Sequence, residues 1–207
     1  MIQPENTVLI LLAAGRSRRF NGDKLSEPFL GRPLAFHVVV ALEAVPFLAR
    51  VAVVSDTRLD FATLGYQVVE NPDPSLGQAR SLCHGVEVAA EMKAAAILVA
   101  LADMPRVTAA QVYRLMDVAN GPETVVASSD GKHPRPPALF GAARFADLLD
   151  LKGDTGAREL IRRGRHVVTD PDELVDVDTR ADLEALRVRF GVPSDGASIR
   201  GEARLSG

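Results

Sequence analysis

At 207 residues and a net charge of −3, the chain has room for one medium domain, expected over residues 1–190, and little for a second core. Hydrophobic residues make up 47% and charged residues 25%, a soluble globular balance that excludes disorder of the whole chain. No basic block and no basic stripe interleaved with aromatics is present, so the footprint of a nucleic-acid partner is missing, while a small anionic substrate needs only local positive charge.

Short β-rich runs alternate with helical patterns, which predicts an α/β fold with a mostly parallel sheet covered by helices on both faces. Val8-Leu9-Ile10-Leu11-Leu12 reads as the first strand, buried on both sides because it does not alternate. The apolar start from Val8 to Ala14 is too short for a membrane span and runs into Gly15 and arginines rather than a signal-cleavage pattern, so no membrane partner is expected. Pro33 opens a predicted helix to about Val45, and strands follow at Arg50 to Val54, Gln67 to Glu70 and Ala96 to Leu101. Cys83, the only cysteine, reads as a small buried hydrophobe. It can form neither an intramolecular disulfide nor a thiolate cluster, which points to a reducing, cytoplasmic compartment.

Thr108 begins a helix with a capping box to Gln111, and Val112, Leu115, Met116 and Ala119 form its apolar stripe. Thr124 to Ala127 and Ala138 to Phe140 read as later strands, followed by helical stretches at Phe145 to Leu151 and Ala157 to Arg163. Thr179 with Asp182 caps a final helix carrying Leu183, Leu186 and Phe190. Residues 191–207 then lose periodicity and become rich in Gly, Ser and polar residues, an expected disordered tail.

Directly after the first strand stands Leu12-Ala13-Ala14-Gly15-Arg16-Ser17-Arg18-Arg19-Phe20-Asn21-Gly22-Asp23-Lys24. Small residues let backbone N–H groups approach phosphates, and Arg and Lys offset their charge. The segment lacks both GxxxxGK[ST] and GxGxxG, so neither a Walker A loop nor a dinucleotide fingerprint applies. By itself it reads equally as a solvated basic loop. Leu101-Ala102-Asp103-Met104-Pro105 lies at the carboxyl end of the fourth strand, where ligands bind in open α/β sheets. A carboxylate there can hold Mg²⁺, which takes one or two carboxylates together with phosphate oxygens and water. Asp103 could instead cap the helix that begins near Thr108.

Together, LAAGRSRR followed by Lys24 and then by LADMP resembles the MobA-like nucleotidyltransferases, and within them the molybdenum cofactor cytidylyltransferase branch, from Val8 to about Arg187. The resemblance implies a three-layer Rossmann-like fold with a mostly parallel mixed sheet. It places Leu12, Ala13, Ala14, Gly15, Arg16, Ser17 and Lys24 on the nucleotide, Asp103 on Mg²⁺, and Arg18, Arg19, Lys24 and Asp103 in catalysis. Asn71-Pro72 with Gly77-Gln78-Ala79-Arg80-Ser81 resembles the segment lining the nucleobase and ribose, which adds Asn71, Gly77 and Ser81; a plain cap and turn accounts for the same residues. Gly153-Asp154-Thr155-Gly156-Ala157-Arg158 resembles the loop on the acceptor side. Asp176-Val177-Asp178-Thr179 resembles the DxDT that ends the last strand, and one of its two aspartates is expected to join Asp103 at the metal, Asp178 being the one assigned, with Asp176 as the alternative and a cap position beside Thr179 as the plain structural account of Asp178.

The reaction so implied is attack of an acceptor phosphate on the α-phosphorus of an NTP, with pyrophosphate leaving. Ala13-Ala14-Gly15 resembles the cytidylyl branch, since guanylyl relatives typically carry two glycines there, and this favours CTP over other NTPs. The implied acceptor is molybdopterin carrying molybdenum, with a molybdenum hydroxylase as a further partner. A cytidylyltransferase for a sugar or polyol phosphate such as methylerythritol phosphate, and a non-catalytic cofactor carrier, stand as alternatives. As a loop lysine aimed at phosphates, Lys24 is expected to serve the reaction rather than the fold. Two departures from the family pattern stand out. Arg19-Phe20-Asn21 replaces the usual RMG, and His133-Pro134-Arg135-Pro136-Pro137 is proline-rich where relatives commonly show a glycine before a single proline. His37 and His84 read as structural, and four scattered histidines give no support to a histidine-based metal site or triad.

Overall fold

The first strand, β1 (Thr7–Ala13), is buried along its whole length, because Leu9, Leu11 and Ala13 enter one apolar cluster while Val8, Ile10 and Leu12 enter the other. This two-sided burial is why the run reads as continuously apolar. The structure, a computed structural model, describes residues 2–15, 19–20, 22–151, 153 and 157–191. The proposed contacts of Arg16, Ser17 and Arg18, the turn at Asn21, the stretch Asp154 to Gly156 and nearly all of the expected tail lie outside the described residues.

On one side β1 pairs in parallel with β4 (Ala49–Val54), which pairs in parallel with β5 (Gln67–Glu70). On its other side lies β6 (Ala96–Leu101), also parallel, and beyond it β8 (Pro134–Gly141) runs antiparallel. β7 (Val125–Ser129) and β9 (Arg165–Val168) complete a seven-stranded sheet of order β5-β4-β1-β6-β8-β7-β9. The chain therefore moves outward from β1 in one direction and then returns to build in the other. That reversal puts the switch-point crevice at the carboxyl ends of β1 and β6, where α/β sheets bind ligands.

Helices cover both faces. α1 (Phe36–Ala41) and α3 (Ala109–Val118) close one face through Val38, Val39, Val112, Leu115 and Met116. α2 (Gln78–Glu91), α4 (Phe145–Leu149) and α5 (Arg158–Arg163) close the other through Leu82, Val86, Phe145, Leu148 and Ile161. α/β with a mostly parallel mixed sheet, as the sequence implies, is the fold observed. A smaller third cluster joins Phe20 of the first loop to Phe29, Leu34, Val177 and two leucines of α6 (Arg180–Arg189), Leu183 and Leu186. Phe20, standing where RMG has methionine, is thus an anchor: it is buried, and the Arg180 guanidinium lies 4.8 Å from its ring centre.

Several expectations need correction. Pro33 does not open a helix. It lies in a two-stranded hairpin, β2 (Pro28–Phe29) and β3 (Arg32–Pro33), whose turn residues Leu30 and Gly31 both have positive φ, the geometry of a tight hairpin turn. The helix behind it spans only Phe36–Ala41. β8 begins at Pro134, not Ala138, and its pairing with β7 shifts register between Ala127 and Ser128, the irregularity at which prolines are tolerated in a sheet. Thr108 caps α3 as expected, accepting from the Gln111 N–H at 3.1 Å, but the Gln111 side chain turns inward and donates to Ser128 Oγ at 3.0 Å. At α6 the reciprocal box is present: Asp182 N–H donates to Thr179 Oγ1, and Thr179 N–H donates to the Asp182 carboxylate.

α2 lies against β1 at Gly85, where an added Cβ would sit 2.6 Å from Ile10 Cγ2. Ile10 is fully buried and its Cγ2 methyl is carried on a branched Cβ with restricted χ1, so it cannot swing clear. Gly85→Ala should therefore destabilise the protein by about 1–2 kcal/mol, overpacking outweighing the helix-propensity gain of about 1 kcal/mol. Urea denaturation measures this, and a more stable variant would contradict the close helix-to-strand contact.

Candidate active site

The crevice predicted by the strand order is present as a cleft of about 410 Å³. Its walls come from five places along the chain. The end of β1 and the start of the following loop contribute Leu12, Ala13, Ala14, Gly15 and Arg19, the 3₁₀ turn Lys24–Ser26 contributes Lys24, and the end of β6 contributes Leu101 and Asp103. Gly77, Gln78 and Ser81 at the start of α2 face them, and Asp178 closes the remaining side. Gly77 precedes the helix with φ 91°, a backbone state that suits glycine and lets the chain turn from the 3₁₀ turn Pro74–Leu76 into α2.

At the centre of the cleft Lys24 Nζ donates to Asp103 Oδ2 at 2.7 Å and lies 3.6 Å from Asp178 Oδ1. Arg19 Nη2 reaches the other oxygen of Asp178 at 2.9 Å. Two cations and two carboxylates therefore form one chain across the site. The Val177 N–H donates to the Asp103 carbonyl at 3.0 Å, and this main-chain bond carries Asp178 beside Asp103. The segment Asp176 to Asp178 does not end the last strand, as the DxDT reading expects. It is an irregular stretch after the 3₁₀ turn Pro171–Leu174, fixed by that bond and by the burial of Val177.

Lys24 is more than a loop lysine. Its side chain is 9% exposed against 73% for Arg19, so it is a buried charge that the two aspartates compensate. Burial pushes the Asp103 carboxyl above the ordinary carboxylate range, the Lys24 ammonium opposes this, and Asp176 and Asp178 nearby add to the rise. Asp103 Oδ1 is itself buried with no hydrogen-bond partner among the described residues. The helix-cap reading of Asp103 fails, because Thr108 fills that position.

Of the residues read from the sequence, Leu12, Ala13, Ala14, Gly15, Arg19, Lys24, Gly77, Ser81, Asp103 and Asp178 all line this one cleft. Asn71 does not. It is buried behind the wall, where its side-chain N–H donates to Ser81 Oγ at 2.9 Å and its Oδ1 accepts from the Asp73 N–H at 3.0 Å. It therefore fixes the approach to α2. Ser81 lies in the first turn of α2, which starts at Gln78. His37 Nε2 is satisfied by the Phe29 carbonyl at 2.7 Å, and His84 pairs with Glu87 at 3.3 Å. Among the described residues no three His, Cys, Asp or Glu side chains converge as a metal cage. Sequence reading missed Pro74 and Ser75, which line the cleft beside Gln78, and did not single out Arg162, which lines a second cavity together with Arg135 and Arg158. Among the described residues no helix is long and apolar enough to cross a membrane.

A doubly wound sheet whose switch-point cleft combines a small-residue loop, a buried lysine and paired carboxylates defines a nucleotide-handling α/β protein. Residues 9–168 match the MobA-like NTP transferase domain, and the chain belongs to that nucleotidyltransferase family. The purine catabolism protein PucB of Bacillus subtilis is 31% identical over 197 residues, spanning 86% of this chain and 94% of that protein. Among solved structures, the homologue of Mycobacterium tuberculosis Rv0371c from Mycobacterium sp. strain JC1 superposes with a TM-score of 0.75 at 25% identity, over 89% of this chain and 96% of that one. A manganese complex of Rv0371c from M. tuberculosis H37Rv superposes with a TM-score of 0.65 at 24% identity, over 87% of this chain and 97% of that one.

Removing Lys24 leaves two carboxylates facing each other, one of them largely buried. Lys24→Met is expected to destabilise the protein by about 3 kcal/mol near neutral pH. The sign of its pH dependence follows from the raised Asp103 pKa: the folded state holds that proton more tightly than the unfolded chain, so stability is lost as pH rises from the ordinary carboxylate range through the folded value. Losing Lys24 raises it further, so the deficit of the variant should shrink as pH falls through that interval. Denaturation at pH 5 and pH 8 checks this, and an unchanged midpoint at both would show that the ion pair does not support the fold.

Proposed function

We propose that the protein transfers CMP from CTP to a phosphorylated acceptor, molybdopterin carrying molybdenum, with release of pyrophosphate. The observation that carries this reading is the convergence of the small-residue loop, Lys24, Arg19, Asp103 and Asp178 on one cleft. Residues 1–190 would form the catalytic domain. An acceptor phosphate oxygen bonds to the α-phosphorus as the bond from that phosphorus to the bridging oxygen breaks, and the β- and γ-phosphates leave as pyrophosphate. No covalent enzyme intermediate is required, so the protein contributes positioning and charge compensation.

Ala13, Ala14 and Gly15 bring backbone to the phosphates without bulky side chains. Lys24 and Arg19, joined by Arg16, Ser17 and Arg18 from the same loop, compensate the triphosphate and the departing pyrophosphate. Lys24 stands beside both aspartates, and an incoming triphosphate offers its ammonium a second set of anionic oxygens. Mg²⁺ fits the donor set, because Asp103 Oδ1 is buried without a partner and two carboxylates with phosphate oxygens are the ligands this ion takes. Asp103 and Asp178 would hold it, and it would supply charge neutralisation at the phosphates. The manganese bound by the Rv0371c relative supports a divalent ion here.

Ala14 supports CTP. It is buried at the cleft wall, and its methyl group narrows the space that guanylyl relatives leave open with glycine. The test is a turnover panel: CTP and GTP, each with molybdenum cofactor and with simple sugar phosphates, read by pyrophosphate release. CTP with molybdenum cofactor should give the highest kcat/KM. Asp103→Asn should lower it by about 10²-fold or more without unfolding the protein. A wild type that prefers GTP would remove the cytidylyl reading, and binding of cofactor without pyrophosphate release would favour the carrier alternative.

A further inference from the structure

The carboxylate oxygens of Asp103 and Asp178 are not equally open. Lys24 Nζ donates to Asp103 Oδ2 at 2.7 Å and stands 3.6 Å from Asp178 Oδ1, while Arg19 Nη2 takes Asp178 Oδ2 at 2.9 Å. Only Asp103 Oδ1 has no hydrogen-bond partner among the described residues, and it is buried. Asp176, whose charge also acts on Asp103, lies 3.5 Å from Arg135. Each aspartate of this cluster thus has a counter-charge from the chain itself before any ligand arrives.

The two cations in the cleft differ in how they can be removed. The Arg19 side chain is 73% exposed, so water replaces its partner at little cost. Lys24 is 9% exposed, and an ammonium so buried leaves one set of anionic oxygens only for another. A divalent ion brought to the carboxylates while Lys24 stays would meet a like charge at short range, in surroundings that screen it poorly. Metal arriving alone must therefore displace a buried cation that has no second partner. A triphosphate supplies that partner, because it brings several anionic oxygens into the cleft at once.

Resting on the nucleotidyl-transfer reading above, we propose that Lys24 and Arg19 form a latch that closes the carboxylates of Asp103 and Asp178 to free divalent ions, and that the triphosphate opens it by drawing both cations onto its own oxygens. Metal and nucleotide are then coupled, each tightening the other by the same factor. The ligand-free protein is kept from trapping stray divalent ions. A nucleotide without β- and γ-phosphates lacks the differential affinity needed to release the latch. Phosphate binding by Lys24 and closure of the metal site are two positions of one side chain.

Mn²⁺ binding to the full chain, followed through the relaxation rate of water protons, tests this without turnover, since an ion on slowly tumbling protein is told apart from one on free nucleotide. Without nucleotide, Lys24→Met should bind Mn²⁺ at least about tenfold more tightly than the wild type, and Arg19→Gln about threefold more tightly. Saturation with a non-hydrolysable CTP analogue should bring the wild type at least to the Lys24→Met affinity, whereas CMP should leave it within about twofold of its nucleotide-free value. Lys24→Met should also gain at least about 2 °C more in Tm from about 1 mM Mn²⁺ than the wild type gains, because the ion stands in for the lost ammonium.

Equal Mn²⁺ affinity in Lys24→Met and wild type, or a wild type that binds the ion as tightly alone as with the analogue, overturns the latch. Unchanged affinity in Arg19→Gln removes Arg19 from it, and opening by CMP as complete as by the analogue overturns the role of the triphosphate. Should Lys24→Met stay unfolded even in Mn²⁺, the wild type with and without the analogue and Arg19→Gln decide by the same outcomes. Failure of the CTP analogue itself to bind, seen by calorimetry, strikes the nucleotidyl-transfer reading, whereas the comparison of Lys24→Met with wild type in Mn²⁺ alone still judges the latch.

Discussion

One ammonium group holds the site together. Lys24 is buried beside Asp103 and Asp178, and such a charge cannot be left without a counter-charge, nor can two neighbouring carboxylates be left without a cation. The constraint reaches outward from there. Lys24 must leave the loop after β1 at the right height, which Phe20 secures by sinking into the cluster under α6. Asp103 must end β6 next to β1, which the parallel register fixes with Leu12 opposite Leu101. Asp178 must return from far along the chain, which the bond from the Val177 N–H to the Asp103 carbonyl secures. The fold and the chemistry are thus joined through the same few atoms.

This arrangement also explains why the site lies where it does. β1 sits between β4 and β6, so the connections from its carboxyl end and from that of β6 diverge and leave a crevice. Loop and turn residues, among them Gly15, Lys24, Ser75 and Asp178, line it. The apolar residues that line the adjoining cavity, Leu82, Val99, Phe140 and Ile161, are buried members of the cluster between α2, α5 and the sheet. A polar cleft and an apolar neighbouring cavity therefore adjoin at the carboxyl edge of one sheet.

Much of this was legible from local pattern. β1, β4, β5 and β6 are apolar or β-branched runs with clear boundaries, and their positions follow from that alone. Asp103 and Lys24 stand out because their residue types suit phosphate and metal chemistry at the end of a buried strand. What escaped depends on distance along the chain or on exposure. β9 is an edge strand of four residues, Arg165-His166-Val167-Val168, three of them polar or exposed, with no apolar alternation to mark it. The β2–β3 hairpin turns at Leu30-Gly31, and although Gly31 is a usual turn residue, Leu30 at positive φ replaces the Asn, Asp or Gly that normally marks the first position. The pairing of Lys24 with Asp103 spans 79 positions, so no local rule could show that Lys24 is a buried, paired charge. Asn71 has the right chemistry to touch a ligand, but both ends of its side chain are engaged within the protein.

The account stands on transfer at the α-phosphorus, within the cleft that Lys24, Asp103 and Asp178 define. The most direct measurement follows two separately labelled samples of CTP, one carrying the label at the α-phosphate and one at the γ-phosphate, through turnover with molybdenum cofactor and with simple sugar phosphates as acceptors. The account predicts that the α label moves to the acceptor and the γ label leaves in pyrophosphate. Appearance of the γ label on the acceptor or in orthophosphate, or retention of both labels in CTP with every acceptor, would contradict it.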